Sequence, residues 1–247
     1  RSEALKEVLD VAKKLAKSDV SPILIQGESG TGKGIIARTI HYQGPRASES
    51  FVEVSCTDRS ESLMENELFG YEKDAFADAK SAKKGLFELV GRGTIFIDHI
   101  ADMKKSTQAK VLRALEDKSF RRIGGVADIR FNVKIIATTD NAKLEKALAA
   151  GSFREDLYYN LKVCPIMIPP LRERRDDIIP LALYYMGVFN TEFKKNVTSI
   201  SEEAQAILTA YDWPGNIREL KNVIERIFIL EDTEVITPEL LPKSLAG

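Results

Sequence analysis

Apolar residues recur along the chain in two rhythms. Over residues 3–17 they fall every three or four positions, so Leu5, Val8, Leu9, Ala12 and Leu15 share one face of a predicted helix. The next apolar stretches are short and continuous, at residues 23–25, 51–54, 94–97, 133–137 and 163–168. A run apolar on both faces leaves no side for water, which predicts strands of a parallel sheet covered above and below. Helical spacing returns between them, for example over 33–41 and 107–115. Pro169-Pro170 ends the alternation, and beyond it only helical patterns follow, over 178–191, 202–211 and 216–230. The pattern predicts an α/β core with a parallel sheet flanked by helices over residues 1–170. A small all-α subdomain is predicted over 171–247.

Composition narrows the function classes. With 247 residues, 44% hydrophobic and 30% charged, the chain can bury a sizeable core and is neither disordered nor fibrous. A formal net charge of −1 argues against attachment to nucleic acid or anionic lipid by bulk charge. No apolar run approaches the roughly 20 residues of a membrane span, so no membrane association is expected. Cys56 and Cys164 make no disulfide framework and no metal cluster, which fits a reducing cytoplasm. The first residue is Arg1 rather than Met, so the chain is expected to be a piece of a longer protein.

The sharpest chemical signal is Gly27-Glu28-Ser29-Gly30-Thr31-Gly32-Lys33, which follows the first predicted strand and opens a helix. Glycines let a backbone wrap around an anion with its N–H groups inward. The helix start adds partial positive charge, and Lys33 supplies a fixed cation for β- and γ-phosphates. Gly34 stands where a Ser or Thr would place a hydroxyl on Mg²⁺. The run Thr94-Ile95-Phe96-Ile97 ends in Asp98, which could hold Mg²⁺ through water at the carboxyl end of a buried strand. His99 follows, where a water-polarising Glu is usual in such hydrolases; a neutral imidazole can accept a proton but brings no negative charge.

These motifs and others resemble the AAA+ domain of bacterial enhancer-binding proteins, the NtrC-type activators of sigma-54 RNA polymerase. The resemblance runs through Glu-Leu-Phe-Gly-Tyr-Glu-Lys (67–73), Gly-Leu-Phe-Glu-Leu (85–89), Phe-Arg-Glu-Asp-Leu-Tyr-Tyr (153–159), Pro-Pro-Leu-Arg-Glu-Arg (169–174) and Trp-Pro-Gly-Asn-Ile-Arg-Glu-Leu (213–220), and covers nearly all of the chain. It implies a P-loop AAA+ core with a helical lid, ATP or ADP with Mg²⁺ as ligands, and assembly with copies of itself into a hexameric or heptameric ring. It further implies RNA polymerase as a candidate partner, and DNA binding through a domain outside this chain. Residue by residue, it implies Arg218 as the lid arginine that touches the phosphates of its own subunit. Arg154 would be the finger that reaches a neighbour's site, where such a group is worth about 10³–10⁵ in rate.

The same resemblance exposes departures, and they cluster at the chemistry. Where the family reads Gly-Ala-Phe-Thr-Gly-Ala, this chain reads Asp74-Ala75-Phe76-Ala77-Asp78-Ala79. Both glycines are Asp, and the Thr that usually meets sigma-54 is Ala. His99 replaces the catalytic Glu, and Ser55 replaces the Asn that restrains it. Asp140 stands where the sensor strand usually ends in Asn, with Asn141 next to it, and Asn160 replaces a second arginine.

Three readings stay open. The chain is a nucleotide-binding regulatory module with weak or no hydrolysis and a lost sigma-54 contact; or it is a competent ATPase driving sigma-54 transcription; or it senses another nucleotide, such as a cyclic dinucleotide. Elsewhere the chain offers less. His41 and His99 show no metal-ligand spacing, and Trp213 before Pro-Gly reads as a packing plug. Arg172-Glu173-Arg174-Arg175, interleaved with acids, reads as a solvated interdomain face rather than a nucleic-acid patch. Arg121-Arg122 ahead of Gly124-Gly125 reads as a hairpin-type insertion.

Overall fold

The five apolar runs become five parallel strands in a computed structural model that describes residues 2–245. In chain order the elements up to the double proline are α1 (Glu3–Ala16), β1 (Ile23–Gln26), α2 (Lys33–Tyr42), β2 (Phe51–Ser55), α3 (Glu61–Phe69), β3 (Gly70–Tyr71), β4 (Lys83–Lys84), α4 (Leu86–Leu89), β5 (Thr94–Asp98), α5 (Lys105–Asp117), β6 (Ser119–Phe120), β7 (Ile129–Arg130), β8 (Lys134–Thr139), α6 (Asn141–Ala149), α7 (Glu155–Leu161) and β9 (Pro165–Met167). Beyond it lie α8 (Ile178–Phe193), β10 (Ser199–Ile200), α9 (Glu202–Ala210), α10 (Asn216–Leu230) and β11 (Val235–Ile236). The main sheet runs β2-β5-β8-β1-β9, all parallel. In such a sheet polar residues gather at the carboxyl ends of the strands, and here these are Gln26, Ser55, Asp98 and Thr139.

The chain divides into two compact units. One holds Leu9–Gln26 and Lys33–Met167; the other holds residues 2–8, Gly27–Gly32 and 168–245. In the first, Leu24, Ile95, Ile97, Ile135 and Ala137 of the sheet are fully buried in a core with Phe69, Phe87 and Phe120. In the second, α8, α9 and α10 close around Phe189, Phe228 and Trp213, whose indole Nε1 donates to the Leu208 carbonyl at 2.8 Å. The expectation of helices alone after residue 170 is corrected. Ser199–Ile200 and Val235–Ile236 pair as a short parallel ladder. Two-residue strands leave no period in a sequence, so a helical pattern hides them.

Two buried basic side chains serve the first unit structurally. Lys134 is 3% exposed, and its ammonium donates to the carbonyls of Leu15 and Ser18, each at 2.9 Å, closing the end of α1. His41 is 1% exposed, with Nδ1 2.8 Å from the Thr94 hydroxyl and Nε2 3.1 Å from the Glu49 carbonyl. A carbonyl only accepts, so Nε2 carries the proton and Nδ1 accepts from Thr94. Burial, helped by the charges of Lys134 and Arg46, holds the imidazole below its ordinary pKa of 6.5 against the opposing bond to Glu49. The unfolded chain therefore binds the extra proton first. The stability from neutral His41 is complete above pH 6.5 and is lost as pH falls below it. Urea denaturation between pH 8 and pH 5 should show that loss in wild type and a flatter profile in His41→Gln.

Candidate nucleotide-binding site

The glycine loop is shaped by its own unit. Gly30 and Gly32 have φ of +79° and +100°, values that L side chains rarely adopt. A Cβ on Gly30 would also lie 2.3 Å from the Gly215 carbonyl oxygen. Four consecutive carbonyl oxygens are taken by donors. Glu28 O accepts from the Thr31 hydroxyl at 2.8 Å, Ser29 O from Asn216 Nδ2 at 3.0 Å, Gly30 O from the Ile217 N–H at 3.0 Å, and Thr31 O from Arg174 at 2.9 Å. The Glu28 carboxylate receives both terminal nitrogens of Arg172, at 2.6 and 3.0 Å, and Asn216 Nδ2 at 3.1 Å. Arg218 is exposed on the first turn of α10 and donates to the Ser29 hydroxyl at 2.8 Å. Of the sequence-predicted phosphate residues, Gly27–Gly32 and Arg218 are thus brought together.

The basic run departs from the expected solvated face at Arg174, which is buried, while Arg172 and Arg175 stay partly exposed yet are engaged by specific partners. Arg172 pairs with Glu28, and Arg174 is 3% exposed against the loop, its pKa lowered by burial. Arg175 binds the carbonyls of Thr209 and Ala210 at the end of α9, along with Asp212. The acceptors are backbone and carboxylate groups far along the chain. Arg174 Nε is buried with no hydrogen-bond partner among the described residues.

In the other unit, Lys33 opens α2 and is 7% exposed. A Cβ on Gly34 would meet the Phe96 ring at an ordinary 3.9 Å, so space does not forbid a hydroxyl residue there. At the end of β5, Asp98 Oδ1 accepts from the Thr138 hydroxyl and from the His99 N–H, the latter at 3.1 Å. His99 adopts the left-handed conformation (φ 57°), which is costly for a residue with a Cβ. Its Nδ1 lies 3.0 Å from Asp98 Oδ2 but is misaligned for a hydrogen bond. The Ser55 hydroxyl accepts from the Thr57 N–H at 3.3 Å. Asp140 spends its carboxylate as the cap of α6, accepting from the Lys143 N–H at 3.1 Å, while Asn141 Oδ1 is buried without a partner among the described residues. The Cys56 thiol, pushed up to about 12 by burial and by Asp102 and Asp98, is inert.

Two contributors here escaped the sequence reading. Lys143 reaches Asp102 at 2.6 Å, and the Thr57 hydroxyl donates to the same carboxylate at 3.2 Å. Gln108, fully buried, accepts from the Arg154 N–H at 2.8 Å and donates to the Met103 and Ser152 carbonyls. It fixes the turn that presents Arg154. The Arg154 guanidinium makes a two-pronged bond with Asp156, at 2.7 and 3.0 Å. Neither Gln108 nor Lys143 lies in a motif that the sequence marks out.

The departed loop is also well defined. The Asp74 N–H donates to Ala79 O at 2.8 Å and the Ala79 N–H to Phe76 O at 2.9 Å, closing a compact turn. Phe76 packs edge-on to Tyr71 with ring centroids 4.9 Å apart. Asp74 has φ 63°, but Asp78 does not have positive φ, so only the first glycine replacement strains the backbone, by about 1 kcal/mol. Arg121 and Arg122 follow β6, which pairs antiparallel with β7. The Arg122 guanidinium grips Glu88 with two 2.7 Å bonds and reaches Glu72 at 3.2 Å, which holds the Glu88 carboxyl below its usual range.

Residues 1–167 match the Sigma-54 interaction domain and residues 172–247 match the AAA+ ATPase lid domain. The chain belongs to the sigma-54 interaction domain family. This sigma-54 interaction domain is 45% identical over 244 residues to the regulatory protein AtoC of Escherichia coli K12, covering 99% of the chain and 52% of AtoC. It is 42% identical over 255 residues to the Nif-specific regulatory protein of Klebsiella pneumoniae, of which it covers 48%. It therefore spans about half the length of these curated relatives. Among solved structures, NtrX from Brucella abortus in complex with ADP superposes with a TM-score of 0.89 at 37% identity, over 99% of this chain and 54% of that one. NtrX in complex with ATP superposes with a TM-score of 0.85, also at 37% identity, over 99% and 56%. No helix among the described residues is long and apolar enough to cross a membrane.

Proposed function

We infer that this domain is a cytoplasmic nucleotide-binding module of an enhancer-binding transcription regulator. It holds ATP or ADP on residues 27–34, turns ATP over weakly or not at all, and lacks the usual sigma-54 contact. The division into a core over 1–170 and a lid over 171–247 belongs to the same reading. The observation that carries the binding half is the set of four loop carbonyls tied to donors, which leaves the loop's shape set by the protein itself. The similarity to NtrX, whose structures hold ADP and ATP, supports the choice of ligand.

Lys33 supplies charge to the β- and γ-phosphates, and Arg218 leaves Ser29 to reach them. Asp98 fits Mg²⁺ only through water: Gly34 brings no hydroxyl, and Thr138 with the His99 N–H already engages Asp98 Oδ1. When bound, the ion would neutralise phosphate charge. Arg154 serves a neighbouring copy in a ring of six or seven subunits. In hydrolysis a water oxygen bonds to the γ-phosphorus, the bond to the bridging oxygen breaks, and a base takes the water's proton. The groups available for that last task are weak, as His99 brings no carboxylate and faces Asp98 with poor alignment.

The loop Asp74–Ala79 offers two carboxylates and no hydroxyl, which supports loss of the family's sigma-54 contact rather than its retention. RNA polymerase stays a candidate partner through other surfaces, and DNA would be contacted by a domain outside this chain. Calorimetric titration tests the binding half. Saturable binding of both ATP and ADP is expected, and heat from neither would overturn the reading.

A further inference from the structure

Asn216 is 0% exposed, sits at φ 53°, and uses its whole carboxamide. Oδ1 accepts from the Leu171 N–H at 2.7 Å, and Nδ2 donates to Ser29 O at 3.0 Å and Glu28 Oε2 at 3.1 Å. Asn tolerates the left-handed conformation better than other residues with a Cβ, and its amide alone offers both an acceptor and two donors on one short stem. One side chain thus joins the loop, the turn after Pro169-Pro170 and the start of α10. Arg172 holds Glu28 from the same turn, and the N–H of Ile217, next to Asn216, holds Gly30 O.

We propose that Asn216, with Arg172 and Glu28, is a positioning device that holds the loop's carbonyls to the helical unit, so that its N–H groups are preset for the polyphosphate of a nucleoside di- or triphosphate. In a trans peptide the C=O of one residue and the N–H of the next point in opposite directions. With the carbonyls of Ser29, Gly30 and Thr31 fixed on Asn216, Ile217 and Arg174, the N–H groups of Gly30, Thr31 and Gly32 point the other way, where one anion can collect them. The loop then binds without reorganising, and affinity for phosphate depends on a residue that never touches the ligand. This rests on the nucleotide-binding reading above.

Asn216→Asp tests it, because it keeps the shape, replaces both donors with acceptors and sets a second carboxylate against Glu28. ATP affinity should fall at least tenfold while unfolding stays cooperative. Adding Glu28→Gln returns a donor to the pair and should recover part of the loss, which a merely structural defect would not allow. Arg172→Gln, at a side chain 38% exposed, should weaken ATP several-fold and serves if Asn216→Asp does not fold. Wild-type affinity in both Asn216→Asp and Arg172→Gln, or in Arg172→Gln alone when the former is unfolded, would overturn the proposal and leave nucleotide binding standing. Failure of the wild type to bind ATP would instead remove the nucleotide reading and this proposal with it.

Discussion

Lys33→Ala should abolish measurable ATP and ADP binding. Lys33 opens α2 and is nearly buried, so its ammonium cannot be replaced by a passing solvent cation. Hydrogen bonds to charged groups are worth about 1.5–3 kcal/mol each. Losing contacts to two phosphates would therefore weaken binding by roughly a hundredfold or more, since about 1.4 kcal/mol is tenfold. Helix α2 should survive, because Ala is the best helix former and the buried contacts of Ile36, Ala37 and Ile40 are untouched. Calorimetry with ATP, alongside circular dichroism to confirm the fold, checks both statements. Unchanged affinity in a folded variant would show that residues 27–34 do not carry the phosphates.

The second large effect concerns turnover in the wild type, which should lie far below that of a competent relative measured in parallel. Single preorganised contacts are worth about 2.7–4 kcal/mol in the transition state. Here His99 lacks the carboxylate, the Ser55 hydroxyl is turned to the Thr57 N–H, and Asn160 cannot give a two-pronged charged contact. Groups that act as a unit do not add simply, so the combined loss is smaller than the sum yet still large. His99→Glu alone should recover little. Hydrolysis restored by that one change would place the whole defect at position 99 and make Ser55, Asp140 and Asn160 harmless variations.

The fold was legible where the physics is repetitive. Strands such as Thr94–Asp98 are apolar on both faces, and α10 has a clean apolar stripe through Leu220, Val223, Ile224 and Ile227. Helix α3 hid because Glu65, on its buried side, is held by Lys110 at 2.6 Å and by Thr107, so a charge interrupts the stripe. The site was legible as a motif but not as an architecture. Spacing points to Gly27–Lys33, yet says nothing of which groups hold its carbonyls. Asn216 and Arg174 look like ordinary polar residues until the chain brings together residues 187 and 143 positions apart. The Asp140 carboxylate caps α6 by accepting from the Lys143 N–H, a role that its place after the sensor strand does not announce.

The proposed function separates nucleotide binding, which is kept, from turnover, which is weak or absent. ATP hydrolysis measured across a protein concentration series, in wild type and Lys33→Ala, tests it most directly, because a site that used Arg154 of a neighbouring copy would form only on assembly. Saturable nucleotide binding is expected in wild type alone, with hydrolysis near background at every concentration in both proteins. Robust hydrolysis that rises with wild-type concentration and vanishes in Lys33→Ala would contradict it and identify the domain as a working ATPase.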